Sequence, residues 1–120
     1  MMGRLVLVAD DHELIRRLLS SELSARGFDV CHAVDGAQAV QIAQEKRPDL
    51  VVLDLAMPEM NGLEAARVLK SKMPHIPLLM FTNTVGPAIE REAQSVGIRA
   101  VFSKGASPAL LVAAVDALLS

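Results

Sequence analysis

The chain has 120 residues, the length of one domain, and its 12 basic and 14 acidic residues give a formal charge of −2 with no long run of one sign. That balance excludes a basic nucleic-acid footprint and a polybasic membrane anchor, so we expect no direct nucleic-acid binding and no membrane attachment by this chain. Hydrophobic residues make up 52% of it with three Phe and no Trp or Tyr, which excludes base or sugar recognition by aromatic stacking.

The opening MMGRLVLVAD carries no signal-peptide cleavage pattern, and no apolar run approaches the roughly 20 residues of a membrane span. The lone Cys31 cannot form an internal disulfide, and the expected setting is reducing and cytoplasmic. In strand two Cys31 reads as a small buried hydrophobe, and the six Met residues read as gap-filling core.

Strand-length apolar runs alternate with segments of helical period. Leu5–Ala9 reads as a strand, and Leu14, Ile15, Leu18, Leu19 and Leu23 form a helical stripe that Gly27 ends. The rhythm returns as Phe28–Ala33, a helix from Gly36 to Lys46, the run Leu50–Leu53, a helix from Leu63 to Met73, and the run Ile76–Phe81. It closes with a helix from Pro87 to Val96, a short strand Ala100–Ser103 and a helix from Pro108 to Leu119. Five βα units fill residues 1–120 as one domain, with no linker and no expected output domain. Strands Leu5–Ala9 and Leu50–Leu53 are apolar on both faces, as parallel strands covered on both sides must be. The expected fold class is α/β, a doubly wound parallel sheet in a three-layer sandwich.

In open α/β sheets ligands bind beyond the carboxyl ends of the strands. Strand one ends in Asp10 and Asp11, strand three in Asp54, strand four in Thr82 and strand five in Lys104, whereas strand two ends in nothing comparable. Singly, an Asp here is more often a helix cap, and a Thr or Lys a capping or solvated group. Convergence of all five on one rim reverses that balance.

Three carboxylates in a small space repel one another and imply a cation. Oxygen donors, with no His or Cys at ligand spacing, favour a hard ion, Mg²⁺ with Mn²⁺ as the alternative. Such an ion and Lys104 together would neutralise the acids and ready the site for a phosphoryl group. Asp54, on the middle strand, is the best candidate nucleophile, with Thr82 and Lys104 placed to hold phosphoryl oxygens and Asp10 and Asp11 to hold the metal.

The segments VADD, VVLDLAMPEMNGLEA, LLMFTNT and AVFSKGASP resemble, in order and spacing, the four signature blocks of response-regulator receiver domains, and the resemblance covers essentially the whole chain. It implies a flavodoxin-like fold with strand order 2-1-3-4-5 and phosphotransfer to Asp54 from a sensor histidine kinase, a His-phosphotransfer protein or small phosphodonors. The acyl-phosphate would be hydrolysed by the domain itself, so the chain is expected to be a signalling domain rather than an enzyme acting on others. By the same likeness Asp11, Asp54 and the backbone carbonyl of Ala56 would ligate the metal, with Asp10 contributing through water, while Met57, Pro58 and Gly62 match the loop that shapes the site.

Departures from the pattern matter for output. Members commonly carry an aromatic residue three positions before the Lys that follows the phosphate signal, and here that residue is Val101. Phe102, one position on, should face the opposite side of a strand of period two. Asn83 replaces a usually small residue, Ala56 and Thr84 stand where hydrolysis is tuned, and Gly105 replaces the common Pro. The KGASP run is similar to members that carry a LuxR-type helix-turn-helix. Activation through Thr82 and helix four, switching a helix 4, strand 5 and helix 5 face, competes with weak coupling. The final helix, LLVAAVDALL, is either packed in the core or presents a face to a homodimer or output partner.

His12 beside the acid pair reads as a solvated or capping residue rather than a phosphohistidine relay. A haloacid-dehalogenase-like phosphatase would want an Asp two residues after the nucleophile, where Ala56 stands. A phosphorylation-independent interaction module typically lacks the acceptor or an acid, and all five groups are present. A dinucleotide-binding domain is disfavoured because neither GxGxxG nor a phosphate loop follows strand one.

Overall fold

Branched apolar runs too short to be helices can bury both faces only in the middle of a sheet, and the chain places them there. A computed structural model describes residues 3–120 and gives β1 (Leu5–Ala9), α1 (Glu13–Ala25), β2 (Asp29–Ala33), α2 (Gly36–Lys46) and β3 (Leu50–Leu53). It continues with α3 (Gly62–Lys72), β4 (Leu78–Thr82), α4 (Pro87–Ser95), β5 (Ile98–Ser103) and α5 (Ala109–Leu119). The strands form one parallel sheet in the order β2-β1-β3-β4-β5. The doubly wound three-layer architecture expected from the chain is the one observed.

Each face of the sheet has its own core. Leu7, Val51, Leu53 and Met80 pack under α2, α3 and α4 with Ala39, Ala43, Ala65, Ala66, Leu69 and Ala93. Val6, Val8, Leu50, Val52, Leu79 and Phe81 pack under α1 and α5 with Leu19, Leu23, Leu111, Val112 and Val115. Small residues on α2 and α3 line the core beneath them, and the start of α2 lies against the loop before α3: a Cβ on Gly36 would stand 2.0 Å from the Met60 carbonyl oxygen. The expected split of Val101 and Phe102 is observed, since Val101 packs on the first core and Phe102 on the second. Of the Met residues, Met57, Met73 and Met80 are buried and Met60 packs at the edge, as gap-fillers should, while Met1 and Met2 lie outside the described residues. Cys31 is half-buried rather than buried, because β2 is an edge strand.

Three strands differ from the pattern read along the chain, β2 only in starting at Asp29 rather than Phe28. β4 begins at Leu78, two residues late, because Pro77 has no N–H and the Ile76 N–H turns back to the Met73 carbonyl at 3.2 Å. β5 begins two residues early, at Ile98, which pairs with Leu78, and a register shift before the Leu79–Ala100 pair makes room for Arg99. That irregularity hides the strand start from a period-two pattern. At the other end α5 starts after Pro108, which occupies the cap position. One face of α5 packs in the core through Leu111, Val112, Val115 and Leu119, while Leu110 is an exposed large apolar residue, and Arg26, the C-cap of α1, is bonded to Asp116 at 2.9 Å.

Candidate functional site

The acids and the amine are set by the sheet itself. Asp10, Asp54 and Lys104 are each the first residue past a strand, and each still donates its N–H to the neighbouring strand: Asp10 to Ala33, Asp54 to Ala9 and Lys104 to Thr82, at 3.1, 2.9 and 2.9 Å. Because β1 and β3 are parallel and paired Ala9 to Leu53, the next residues, Asp10 and Asp54, stand side by side. Behind Asp54 the backbone is crowded: a Cβ on Gly62 would lie 2.1 Å from the Asp54 carbonyl oxygen, so only glycine lets α3 start here. The Asn61 and Glu64 side chains exchange hydrogen bonds with each other's backbone N–H in a capping box that fixes this start. The intervening loop turns at Glu59, a left-handed residue with φ 68°, across which the Met60 N–H donates to the Pro58 carbonyl at 2.7 Å.

Asp10, Asp54 and Thr82 are the buried polar side chains among the described residues, at 2, 4 and 2% exposure. Lys104 reaches them from the next strand but one, with Nζ 2.6 Å from Asp10 Oδ2 and 3.2 Å from Asp54 Oδ2. Burial pushes the Asp54 carboxyl above the usual carboxylate range, the Asp10 charge adds to the rise, and Lys104 offsets part of it. Burial alone would lower the Lys104 ammonium, but its hydrogen bond and charge interaction with Asp10, followed by those with Asp54, raise it. Thr82 closes the row, its hydroxyl accepting the Thr84 N–H at 3.2 Å.

All five expected side chains therefore lie along one rim, with Asp11 at its exposed edge. One ligand atom each from Asp10, Asp11, His12 and Asp54 lie within 4.8 Å of one another, so the His12 ring stands beside the expected oxygen donors. His12 is the N-cap of α1, where extended backbone turns the ring back over the acid pair rather than onto the helix end. Arg16 was not visible as a site residue: its guanidinium donates to the Asp10 carbonyl at 2.7 Å and pins the turn that carries both acids. An arginine one turn into a helix gives no sequence signal for a contact set by how that helix packs.

A parallel sheet in this order with buried acids and an amine at its carboxyl rim defines the CheY-like class of flavodoxin folds. Residues 6–116 match the family model described as the response regulator receiver domain, and the chain belongs to that family. It is 34% identical over 117 residues to the transcriptional activator protein ExaE of Pseudomonas putida, covering 96% of this chain and 55% of that protein. The chain thus spans about half the length of that curated relative. The chemotaxis protein CheY4 of Vibrio cholerae superimposes with a TM-score of 0.90 at 30% identity, over 98% of this chain and 100% of that one. A LuxR-family two-component response regulator from Aurantimonas sp. SI85-9A1 superimposes with a TM-score of 0.91 at 31% identity, covering 98% of this chain and 86% of that one.

The chain is thus a receiver domain of two-component response regulators, a signalling family whose standard role is to accept a phosphoryl group and which implies a histidine kinase as partner. Receivers generally bind Mg²⁺, and the acidic group at this rim suits a divalent cation, since a single ammonium faces the carboxylates of Asp10, Asp11 and Asp54. No helix of the described residues is long and apolar enough to cross a membrane.

Proposed function

We propose that Asp54 is the phosphoryl acceptor, with Lys104 and Thr82 as its catalytic partners and Asp10, Asp11, Asp54 and the Ala56 carbonyl as the ligands of a Mg²⁺ or Mn²⁺ ion. The observation that carries this reading is the position of Asp54, buried between Asp10 and the Lys104 ammonium at the end of the middle strand. One Asp54 carboxylate oxygen forms a bond to phosphorus as the bond from phosphorus to the donor imidazole nitrogen breaks. Lys104, held 3.2 Å from Asp54, offsets charge on one phosphoryl oxygen, and the Thr82 hydroxyl, leaving the Thr84 N–H, donates to another. A bound divalent cation would lower the repulsion between the acids and the incoming phosphoryl group. Hydrolysis of the aspartyl phosphate returns Asp54, so the domain catalyses only its own modification.

The donor is a sensor kinase phosphohistidine or a His-phosphotransfer protein, which must enter the cleft of about 590 Å³ lined by Asp11, His12, Leu14, Asn83 and Lys104. The exposed Leu14 at its mouth offers that partner an apolar contact. Output runs through α4, β5 and α5 to a further domain or a second copy, with Leu110 available at α5. Incubation with Mg²⁺ and a small acyl-phosphate donor, followed by intact-mass measurement, tests the assignment: the wild type gains one phosphoryl group and Asp54→Asn gains none. Equal uptake by both removes Asp54 from the role.

A further inference from the structure

The geometry points to His12 as a nitrogen ligand that shifts the rim of Asp10, Asp11 and Asp54 away from Mg²⁺ and toward first-row transition cations such as Ni²⁺, Co²⁺ and Mn²⁺. This rests on the reading of the rim as a divalent-cation site and adds a specificity to it.

His12 Nδ1 lies 3.2 Å from Asp11 Oδ1 and 3.3 Å from Asp10 Oδ1. Atoms bound to one octahedral ion at about 2.1 Å stand about 3 Å apart when adjacent and about 4.2 Å apart when opposite. The ring nitrogen and the two oxygens are thus spaced as neighbours in one coordination shell, and an Asp54 oxygen falls within the same 4.8 Å group.

The ring is also held there by the chain. The His12 N–H donates to Asp10 Oδ1 at 2.8 Å, and the side chain makes no capping bond to α1, which leaves Nδ1 turned to the acids. Lys104 engages the other oxygen of Asp10, Oδ2, so the two sides of that carboxylate are divided between the amine and the imidazole. A cation entering on the Oδ1 side meets His12 without displacing Lys104.

As a ligand the imidazole would turn the Nδ1 lone pair to the cation and carry its ring hydrogen on Nε2, and the side chain, 67% exposed, leaves that edge open to water. Mg²⁺ prefers oxygen and keeps its waters, whereas imidazole adds affinity in the order of Mn²⁺, Co²⁺ and Ni²⁺.

The test titrates the untagged full chain with MgCl₂ and with NiCl₂ in a calorimeter, for wild type, His12→Ala, His12→Gln and Asp11→Asn. If His12 is a ligand, His12→Ala weakens Ni²⁺ by about ten-fold or more while Mg²⁺ changes by less than about three-fold. Pulsed electron paramagnetic resonance of bound Mn²⁺ then shows an imidazole nitrogen coupling that is lost in the variant. His12→Gln, which keeps a polar side chain on the helix cap, should show the same selective loss. A ratio of Ni²⁺ to Mg²⁺ affinity that is unchanged in both variants, with no nitrogen coupling in the wild type, overturns the role of His12. If Asp11→Asn binds both ions as tightly as wild type, the rim is not the cation site, and the underlying reading fails with it. That failure is distinct from the loss of His12 alone.

Discussion

The shortest charged contact in the described structure joins Lys104 Nζ to Asp10 Oδ2, at 2.6 Å with both side chains nearly buried. Its strength comes from low dielectric surroundings, and so does its vulnerability, because removing the amine leaves two buried carboxylates facing each other. Lys104→Met is expected to lose about 3 kcal/mol of stability in metal-free buffer at neutral pH. Adding Asp54→Asn to that variant should restore a large part of the loss. A double-mutant cycle by urea unfolding measures the coupling, and additive effects would show that Lys104 does not hold the two acids together. The raised ammonium contributes fully below its unfolded value and is lost only as pH climbs through the higher folded one, so the pair is intact throughout the neutral range.

Asp54 alone shows the opposite sign. Its carboxyl is raised, so the folded chain holds that proton more tightly than the unfolded chain does. The resulting stabilisation is complete below about pH 3.9, the unfolded value, and disappears as pH rises through the folded value. At pH 7 the ionised Asp54 therefore costs stability, and Asp54→Asn should unfold at higher urea concentration by about 1 kcal/mol in chelator-treated buffer. The advantage should shrink as the pH is lowered, because wild-type Asp54 then becomes neutral too. A variant less stable than wild type at pH 7 would contradict a cost carried by the charge.

The Asp54 backbone sets another limit. A methyl group on Gly62 would meet the Asp54 carbonyl oxygen at 2.1 Å and its carbon at 2.9 Å, and main chain cannot rotate aside as a side chain can. Gly62→Ala should therefore cost about 2–3 kcal/mol and displace the start of α3. Phosphoryl uptake should slow in the same variant, since the loop from Leu55 to Asn61 hangs between Asp54 and that helix; the Gly62 N–H donates to the Leu55 carbonyl at 2.9 Å. Thermal unfolding and uptake rates check both effects.

How far the chain announced this site depends on what placed each group. Asp10, Asp54, Thr82 and Lys104 were legible because a strand-end position is fixed by sheet register, and register follows from the apolar runs. The approach of His12 to the acid pair was not, because it depends on the backbone angles of a cap. Arg16 bonds a carbonyl, which leaves no pattern in side-chain types. The early start of β5 was masked by Arg99 at the register shift, whereas the split of Val101 and Phe102 between the two cores followed from period two alone.

Glu59 holds a conformation that glycine adopts without steric cost, at φ 68° in the loop beside the rim. Its side chain is exposed, so a Glu59→Gly change loses little packing and relieves the left-handed strain. We expect a gain of about 0.5–1 kcal/mol in thermal or urea unfolding, the relief exceeding the added freedom of the unfolded chain. Glu59→Val, branched at Cβ, should lose at least as much. If both variants matched wild type, the turn would be able to relax around any residue.

The last prediction concerns how a phosphoryl group would be felt away from Asp54. The Thr82 hydroxyl accepts the Thr84 N–H at 3.2 Å, and the Thr82 carbonyl accepts the Lys104 N–H at 2.9 Å, so this residue is tied to both the loop before α4 and the end of β5. If the hydroxyl turns to a phosphoryl oxygen, Thr84 loses its partner and the loop of Asn83 to Gly86 must rearrange. Val101, on the core under α4, has no hydroxyl or ring with which to follow that motion across the sheet. Beryllofluoride with Mg²⁺ should therefore move the Thr84 amide resonance strongly, the α4 amides next, and those around Val101 least. Thr82→Ala should abolish the Thr84 shift while leaving shifts at Asp54. Large changes at Val101 that survive Thr82→Ala would mean that the signal reaches β5 from Lys104 and the β5–α5 turn rather than from Thr82 and α4.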